Sequence, residues 1–461
     1  MAVPAISVSP YWELTFDADG DVDGPERDRL LAEVNGRGVR DLLVFAHGWN
    51  NERSGATRLY DHFFAPVPSL APRAHLGYVG VIWPSMMFAD EPIPDFPPSA
   101  AAEIPRPTRP LLDENSRHAL LEVFPGNATL VEQIARLLEQ HPDDDASLEE
   151  FGRLVRLLVE ARPGGPQAAF DADMLAEGVP ESAPEMLFGD TRQACQDFAQ
   201  ALEQVDSADG QAQGTEGFSF TPKGVWDGAH ELLRQATYYA MKRRAGTVGE
   251  RGLGRVIGQL AQAAPNVRVH LIGHSFGGRL VSFALRGLPD GVHTVKSVTL
   301  LQGAFSHYAF AARLPDDPHA SGVLHGQQNR IDGPLLCCYS RFDSALGTLY
   351  PLASRMADDD QSLAGEAPSA AGEAAGPVEG FGIGDLLGRK WGAMGHDGVQ
   401  AVDGTQGFVL ADALRRALPA SGCVNIDASA VVCNGGPPSG AHSDIVHREL
   451  AQVVLAAGRV G

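Results

Sequence analysis

Residues 267–278 read Val-Arg-Val-His-Leu-Ile-Gly-His-Ser-Phe-Gly-Gly, an apolar run that stops at Gly273-His274-Ser275-Phe276-Gly277 and continues into a helical pattern. Val267, Val269, Leu271 and Ile272 suit a half-buried to buried strand, and the stretch from Gly278 to Leu285 places its apolar residues at helical spacing. A serine between two such elements reads as a nucleophile elbow. The hydroxyl projects above the sheet from a strained turn, and the start of the helix aims backbone N–H groups at the same spot. The two glycines have a steric reason, because side chains two residues either side of the serine would collide across so tight a turn. The bare five-residue pattern is weak, since a chain with 52 glycines yields it by chance roughly 0.3 times. The strand before it and the helix after it carry the weight. A Gly-Ser turn in a nucleotide-binding or structural α/β domain is the bland alternative.

Upstream, Asp41-Leu42-Leu43-Val44-Phe45-Ala46-His47-Gly48 is an apolar run closed by a glycine turn, and Tyr78-Val79-Gly80-Val81-Ile82-Trp83-Pro84 is another. Ala56 to Leu70 can form a crossover helix between them, so parallel pairing and an α/β architecture are expected. Downstream the rhythm gives a helix near Leu253 to Ala264, strands at Val295 to Leu301 and Pro334 to Ser340, and a last helix from about Asp444 to Ala457. Residues 1–87 and 250–461 then form the two halves of one core around a mostly parallel sheet. The long interruption at 88–249 opens with the proline-rich Glu91 to Pro98 and holds helical segments at Ala128–Gln140 and Leu148–Arg162. In the latter, Phe151, Leu154, Val155 and Leu158 share one face. Such an insertion reads as a mainly helical cap. Asp358 to Gly380, acidic and rich in Ala and Gly, reads as a disordered loop.

A formal charge of -22 argues against nucleic acid and anionic membrane surfaces, which are bound by neutralising phosphates with Lys and Arg. No run of about 18 apolar residues supports a membrane span. Met1 to Ala5 lacks the basic and apolar regions of a secretory signal, which suggests a cytoplasmic protein. The 5 cysteines do not look like a disulfide framework. Cys337 and Cys338 read as buried small hydrophobes, and Cys423 and Cys433, which could pair across a hairpin, as reduced thiols. Asp17, Asp19, Asp21 and Asp23 alternate as in a calcium loop, but with Asp19 in first place the twelfth position is Leu30, not a glutamate. A solvated acidic turn is the expectation, and no other His/Cys spacing resembles a zinc site. No cofactor or metal is implied.

An activated serine needs a base within hydrogen-bond reach, and the base needs an acid to hold its tautomer. In strand-elbow-helix folds these partners follow the serine in the order acid, then histidine. His442, in Gly440-Ala441-His442-Ser443-Asp444, sits in a polar loop before the last helix and is the candidate base, with His396 in Gly395-His396-Asp397-Gly398 as a rival. Asp343 follows the strand Leu335–Ser340 and would emerge at the carboxyl edge of the sheet beside Ser275, where sites of open parallel sheets form. It also suits a helix N-cap. Asp397 and Asp427 compete for the acid role. Donors for a developing oxyanion are expected from the backbone N–H of Phe276 and from the turn His47-Gly48-Trp49-Asn50.

In these motifs the chain resembles the α/β-hydrolase superfamily: His-Gly-x after an early strand, the Gly-x-Ser-x-Gly elbow, then Asp and His in order. The resemblance covers about 41–87 and 250–457. Carried over by position, it implies Ser275 as nucleophile, Asp343 as acid, His442 as base, and the N–H groups of Trp49 and Phe276 as the oxyanion hole. It also implies a serine hydrolase, esterase- or lipase-like, acting on a small-molecule acyl substrate. Many members carry their cap after the strand that follows the elbow helix, whereas here the large insertion precedes the elbow strand. A carboxylic ester is the expected substrate, with a thioester or an amide or peptide as the alternative. The haloalkane and epoxide branches resemble this scaffold with an aspartate where Ser275 stands. A catalytically inactive binding protein on the same scaffold is the rival from another class.

Overall fold

The computed structural model describes residues 6–49, 53–85, 112–160, 170, 172–176, 185–200, 202, 224–315, 317–349, 392–435 and 440–461. Ten strands occur among them: β1 (Tyr11–Thr15), β2 (Asp41–Ala46), β3 (Leu76–Ile82), β4 (Met174–Ala176), β5 (Arg268–His274), β6 (Val295–Leu301), β7 (Ala320–Gly322), β8 (Pro334–Tyr339), β9 (Gln406–Val409) and β10 (Gly422–Asp427). Eight of them form one sheet in the order β1-β3-β2-β5-β6-β8-β10-β9. Every pairing in it is parallel. The short β4 and β7 pair antiparallel away from it.

Period-two alternation in the apolar runs sorts their side chains onto the two faces of the sheet. Leu42, Val44, Val79, Val269, Leu271, Val298, Leu335 and Cys337 join one buried cluster, while Leu43, Phe45, Ile272, Leu301, Leu336 and Val424 join the other. The first face packs against the long helix Val225–Thr247 and the elbow helix Phe276–Arg286, and the second against helices Arg53–Phe64 and Arg448–Gly458. Both faces are covered, which is why β2 and β3 are buried at every position.

Where helices were expected, three boundaries differ, and the segment expected at Leu148–Arg162 runs Asp145–Leu158. The crossover is split into Arg53–Phe64 and Val67–Leu70, because Pro66 between them has no N–H to donate and its ring clashes with the preceding turn. The last helix starts at Arg448, not near Asp444. Asp444 is held in the loop instead, accepting from the N–H groups of Cys433 and Asn434 and from the His447 ring.

Of the insertion, the described residues are mainly helical: Glu114–Val123, Ala128–Gln140, Asp145–Leu158 and Val225–Thr247 are its longer elements. Phe151, Leu154, Val155 and Leu158 are all buried, in the same cluster as one face of the sheet. The chain runs helical without interruption from Val225 to Ala263, passing through a π-helical stretch at Val248–Leu253. The end assigned to the insertion at 249 therefore falls inside a helix that packs on the core. The proline-rich segment 91–98 and the acidic segment 358–380 lie outside the described residues.

A polar chain crosses the interior of the sheet. His270 on β5 places Nε2 2.9 Å from Asp41 Oδ1 on β2 and Nδ1 2.9 Å from Ser297 Oγ on β6. Arg268 also bonds Asp41. His270 is fully buried, Ser297 nearly so. Burial pushes the His270 ring below its ordinary pKa although Asp41 opposes it. Burial works to raise the Asp41 carboxyl, and its bonds to His270 and Arg268 overcome this and hold it below the usual range.

In the acidic N-terminal run, Asp17 Oδ1 accepts from the N–H groups of Asp19 and Asp21, closing a backbone turn. Among the described residues there is no cluster of three or more His, Cys, Asp or Glu able to hold a metal, and no helix long and apolar enough to cross a membrane. All five cysteines are free, with Cys423 buried and Cys433 exposed. Burial raises the Cys338 and Cys423 thiols to about 12.

Candidate active site

The strand order reverses direction between β2 and β5: after β2 the chain steps to β3 on one side, and after β5 it builds outward through β6, β8 and β10 on the other. Crevices at such a switch point, outside the carboxyl ends of the strands, are where open parallel sheets hold ligands. Ser275 follows β5 there, and the turn His47-Gly48-Trp49 follows β2.

Ser275 has φ 54° and ψ -122°, a backbone conformation costly for any residue with a Cβ and one found at functional sites when the surroundings enforce it. They do so on both sides. Its N–H donates to Leu301 at 3.1 Å, and its carbonyl accepts from Gly278 at 3.0 Å and from Ala304 at 3.2 Å. A Cβ on Gly273 would strike the carbonyl of Gly277, and one on Gly277 would strike that of Ala46. The steric reason read from the sequence is therefore met, with the early strand as well as the turn doing the crowding.

The structure brings Ser275, His442 and Asp343 together. His442 Nε2 lies 2.9 Å from Ser275 Oγ, and His442 Nδ1 lies 2.8 Å from Asp343 Oδ2. A carboxylate only accepts, so Nδ1 carries the proton and Nε2 is left to accept from the serine hydroxyl. Asp343 is fully buried, and its second oxygen accepts from the N–H of Leu346 at 3.0 Å, so it is a cap and a partner of the imidazole at once. The His442 side chain keeps 15% of its surface exposed.

The rivals lie elsewhere. Asp397 bonds His307 Nδ1 at 2.8 Å, His396 packs beside Gly347, and Asp427 ends β10 with its carboxylate on the N–H of Ser429.

Both proposed oxyanion donors border the serine. Phe276 is the first residue of the elbow helix, where the N–H has no acceptor within the helix. Gly48 approaches so closely that a Cβ there would sit 2.6 Å from that of Ser275. The rings of Trp49 and Phe276 are linked through Tyr238 of the long helix, 5.2 Å from the first and 4.5 Å from the second.

Three features were not visible in the sequence. His47, fully buried, donates from Nδ1 to the carbonyl of Gly48 at 2.8 Å and stacks on Trp83. Because the peptide is planar and trans, fixing that carbonyl also fixes the direction of the Trp49 N–H on the other side of the bond. Burial lowers the His47 ring to about 4, which keeps it neutral. His274, within the elbow, reaches the backbone of His442 through Nε2 at 3.0 Å. Finally, Arg279 of the elbow helix is fully buried in an ion pair with Asp173 of the insertion, and Lys242 of the long helix pairs with the same carboxylate at 3.1 Å. No local periodicity marks such tertiary pairs.

No protein-family model, no curated protein and no solved structure matches this chain. The fold itself defines the class: a parallel α/β sheet flanked by helices, with a Ser-His-Asp constellation at its switch point.

Proposed function

We propose that the protein is a serine hydrolase of the α/β-hydrolase type that cleaves a carboxylic ester. The observation that carries this reading is the hydrogen-bonded series Ser275–His442–Asp343 with the serine on a strained elbow. Ser275 Oγ would attack the acyl carbonyl while His442 Nε2 takes its proton. Asp343 holds the imidazole in the right tautomer and stabilises its charged form. The oxyanion would accept from the N–H groups of Phe276 and Trp49. As the tetrahedral intermediate collapses, His442 returns the proton to the leaving oxygen. A water, deprotonated by the same ring, then releases the acid from the acyl-enzyme. Esters need less help at the leaving group than amides, which sets the order of substrates.

The insertion is a cap over this site in the same reading, supported by Tyr238 standing against Phe276 and Trp49. It would exclude water and select acyl chains. Leu154→Asp, which places a charge in the buried insertion cluster, is expected to alter the ratio of rates on acetate and long-chain esters. An unchanged ratio in folded protein removes the cap from the specificity argument.

A fluorophosphonate followed by peptide mass spectrometry is expected to place the adduct on Ser275, with turnover on a panel of p-nitrophenyl esters exceeding that on thioesters and anilides. No adduct on Ser275 and no turnover across the panel would instead favour a binding protein on this scaffold.

A further inference from the structure

We propose that His274, the residue inside the elbow, is a positioning residue for the base: it holds the backbone of the loop that carries His442. The inference rests on the hydrolase reading only for its effect on turnover.

The geometry is specific. His274 Nε2 lies 3.0 Å from the carbonyl oxygen of His442, and the two rings are 5.1 Å apart. A carbonyl only accepts, so the proton is on Nε2 and Nδ1 is bare. That bare nitrogen is buried without a hydrogen-bond partner, turned toward Gly48, where a Cβ would come within 3.2 Å of it. The ring is therefore held in one tautomer and one orientation, with a single bond to make.

Two independent holds then act on His442. Asp343, after β8, fixes the side chain through Nδ1. His274, the last residue of β5, fixes the main chain. The nucleophile is the next residue along the chain from His274, so one strand end carries both the serine and the anchor of its base. The distance from Nε2 of His442 to Ser275 Oγ is thereby set from the strand on which the serine stands. On the acid's side the same loop is tied by the N–H of Ala441 to the carbonyl of Phe342.

Neutrality suits the role. Burial, with the neighbouring His442 as a second cause, lowers the His274 ring to about 3. When His442 takes the serine proton it becomes a cation, and an anchor that were itself charged 5.1 Å away would oppose that step.

The test compares His274→Leu, which removes the donor, with His274→Gln, whose amide nitrogen can occupy the place of Nε2. For His274→Leu, kcat on p-nitrophenyl acetate is expected to fall on the order of 10²-fold, the cost of a base displaced by about 1 Å, with KM little changed. His274→Gln is expected to recover most of the loss. A purely structural role would instead lower the melting temperature of both variants and leave kcat per folded molecule alone. Should His274→Leu not fold, His274→Asn, with its amide near Nδ1 and out of reach of the carbonyl, takes its place in the comparison. A crystal structure of each variant reads the His442-to-Ser275 distance without any turnover. Unchanged kcat and an unchanged distance overturn the proposal. If the wild-type protein proves inactive on every ester, the hydrolase reading fails, and the crystallographic distance alone decides whether His274 positions His442.

Discussion

Two Ser-His-Asp chains run through this molecule, one inside the sheet and one at its edge. In the inner chain Asp41, His270 and Ser297 are strung across β2, β5 and β6 with separations of 2.9 Å. In the outer chain Asp343, His442 and Ser275 are joined at 2.8 and 2.9 Å. The polarity of the bonds is the same, with acid accepting, ring relaying and serine donating, though the two rings use opposite nitrogens. What differs is the setting. Ser297 lies within a strand, paired parallel with His270 just after a shift of register between Val269 and His270, with no helix start beside it, whereas Ser275 sits at the first turn of a helix with φ 54°. Three residue types at hydrogen-bond distance therefore do not make an active site. In the proposed reading, what sets Ser275 apart is its strained backbone at the start of a helix, where N–H groups can serve an oxyanion.

The sharpest way to break that contrast is to remove both serines in turn. Ser275→Ala and His442→Ala are each expected to cost on the order of 10⁴-fold in turnover, because such a constellation works as a unit. Ser297→Ala is expected to leave kcat per folded molecule within about twofold of wild type. Equal losses would mean that the inner chain supports catalysis. The choice of acid is next. Asp343→Asn is expected to lose about 10³-fold through the wrong tautomer, while Asp397→Asn and Asp427→Asn keep their activity. Steady-state rates on one ester suffice to rank the three.

Stability should show the reverse pattern. Ser297→Ala leaves His270 Nδ1 buried without its donor and is expected to cost about 1–3 kcal/mol in urea denaturation. Ser275→Ala keeps the Cβ and with it the strained backbone, buries no unpaired charge, and is expected to melt close to wild type.

The smallest effect is a pH slope. In the unfolded chain, histidines take up protons near pH 6.5. In the folded protein His47 and His274 stay neutral down to about 4 and about 3. The unfolded state thus binds more protons below pH 6.5, so stability is full above that value and falls as the pH drops toward 4. The slope is about 1.4 kcal/mol per pH unit for each ring. His47→Gln is expected to remove one ring's share from melts recorded between pH 7 and 5.

The central sheet was legible because parallel strands covered on both faces must be almost wholly apolar, and Leu42 to Ala46, Val269 to Ile272 and Leu335 to Cys338 are. The outer chain was legible because the resemblance to strand-elbow-helix folds implies an acid and then a histidine after the serine, and Asp343 and His442 stand in loops that follow later strands. β9 was not legible. It is a short edge strand, Gln-Gly-Phe-Val, largely exposed, and so lacks the apolar signal that burial imposes. The inner chain escaped for another reason. His270 and Ser297 are polar residues in strands read as apolar, and only register brings them opposite each other. His47, His274 and the Asp173–Arg279 pair depend likewise on which backbone or carboxylate stands across from them, which a one-dimensional pattern does not encode.

The helical run from Val225 to Ala263 has a mechanical consequence. Tyr238, beside Phe276, and Leu260, in the core beneath the sheet, lie on one uninterrupted rod, with no loop between them to act as a hinge. The π-helical stretch at its middle is packed against the elbow helix, where a Cβ on Gly249 would strike the carbonyl of Leu280. A wall built on such a rod is cantilevered from the core. The aromatic face it presents is thus joined to the core by continuous helix, with no loop between them.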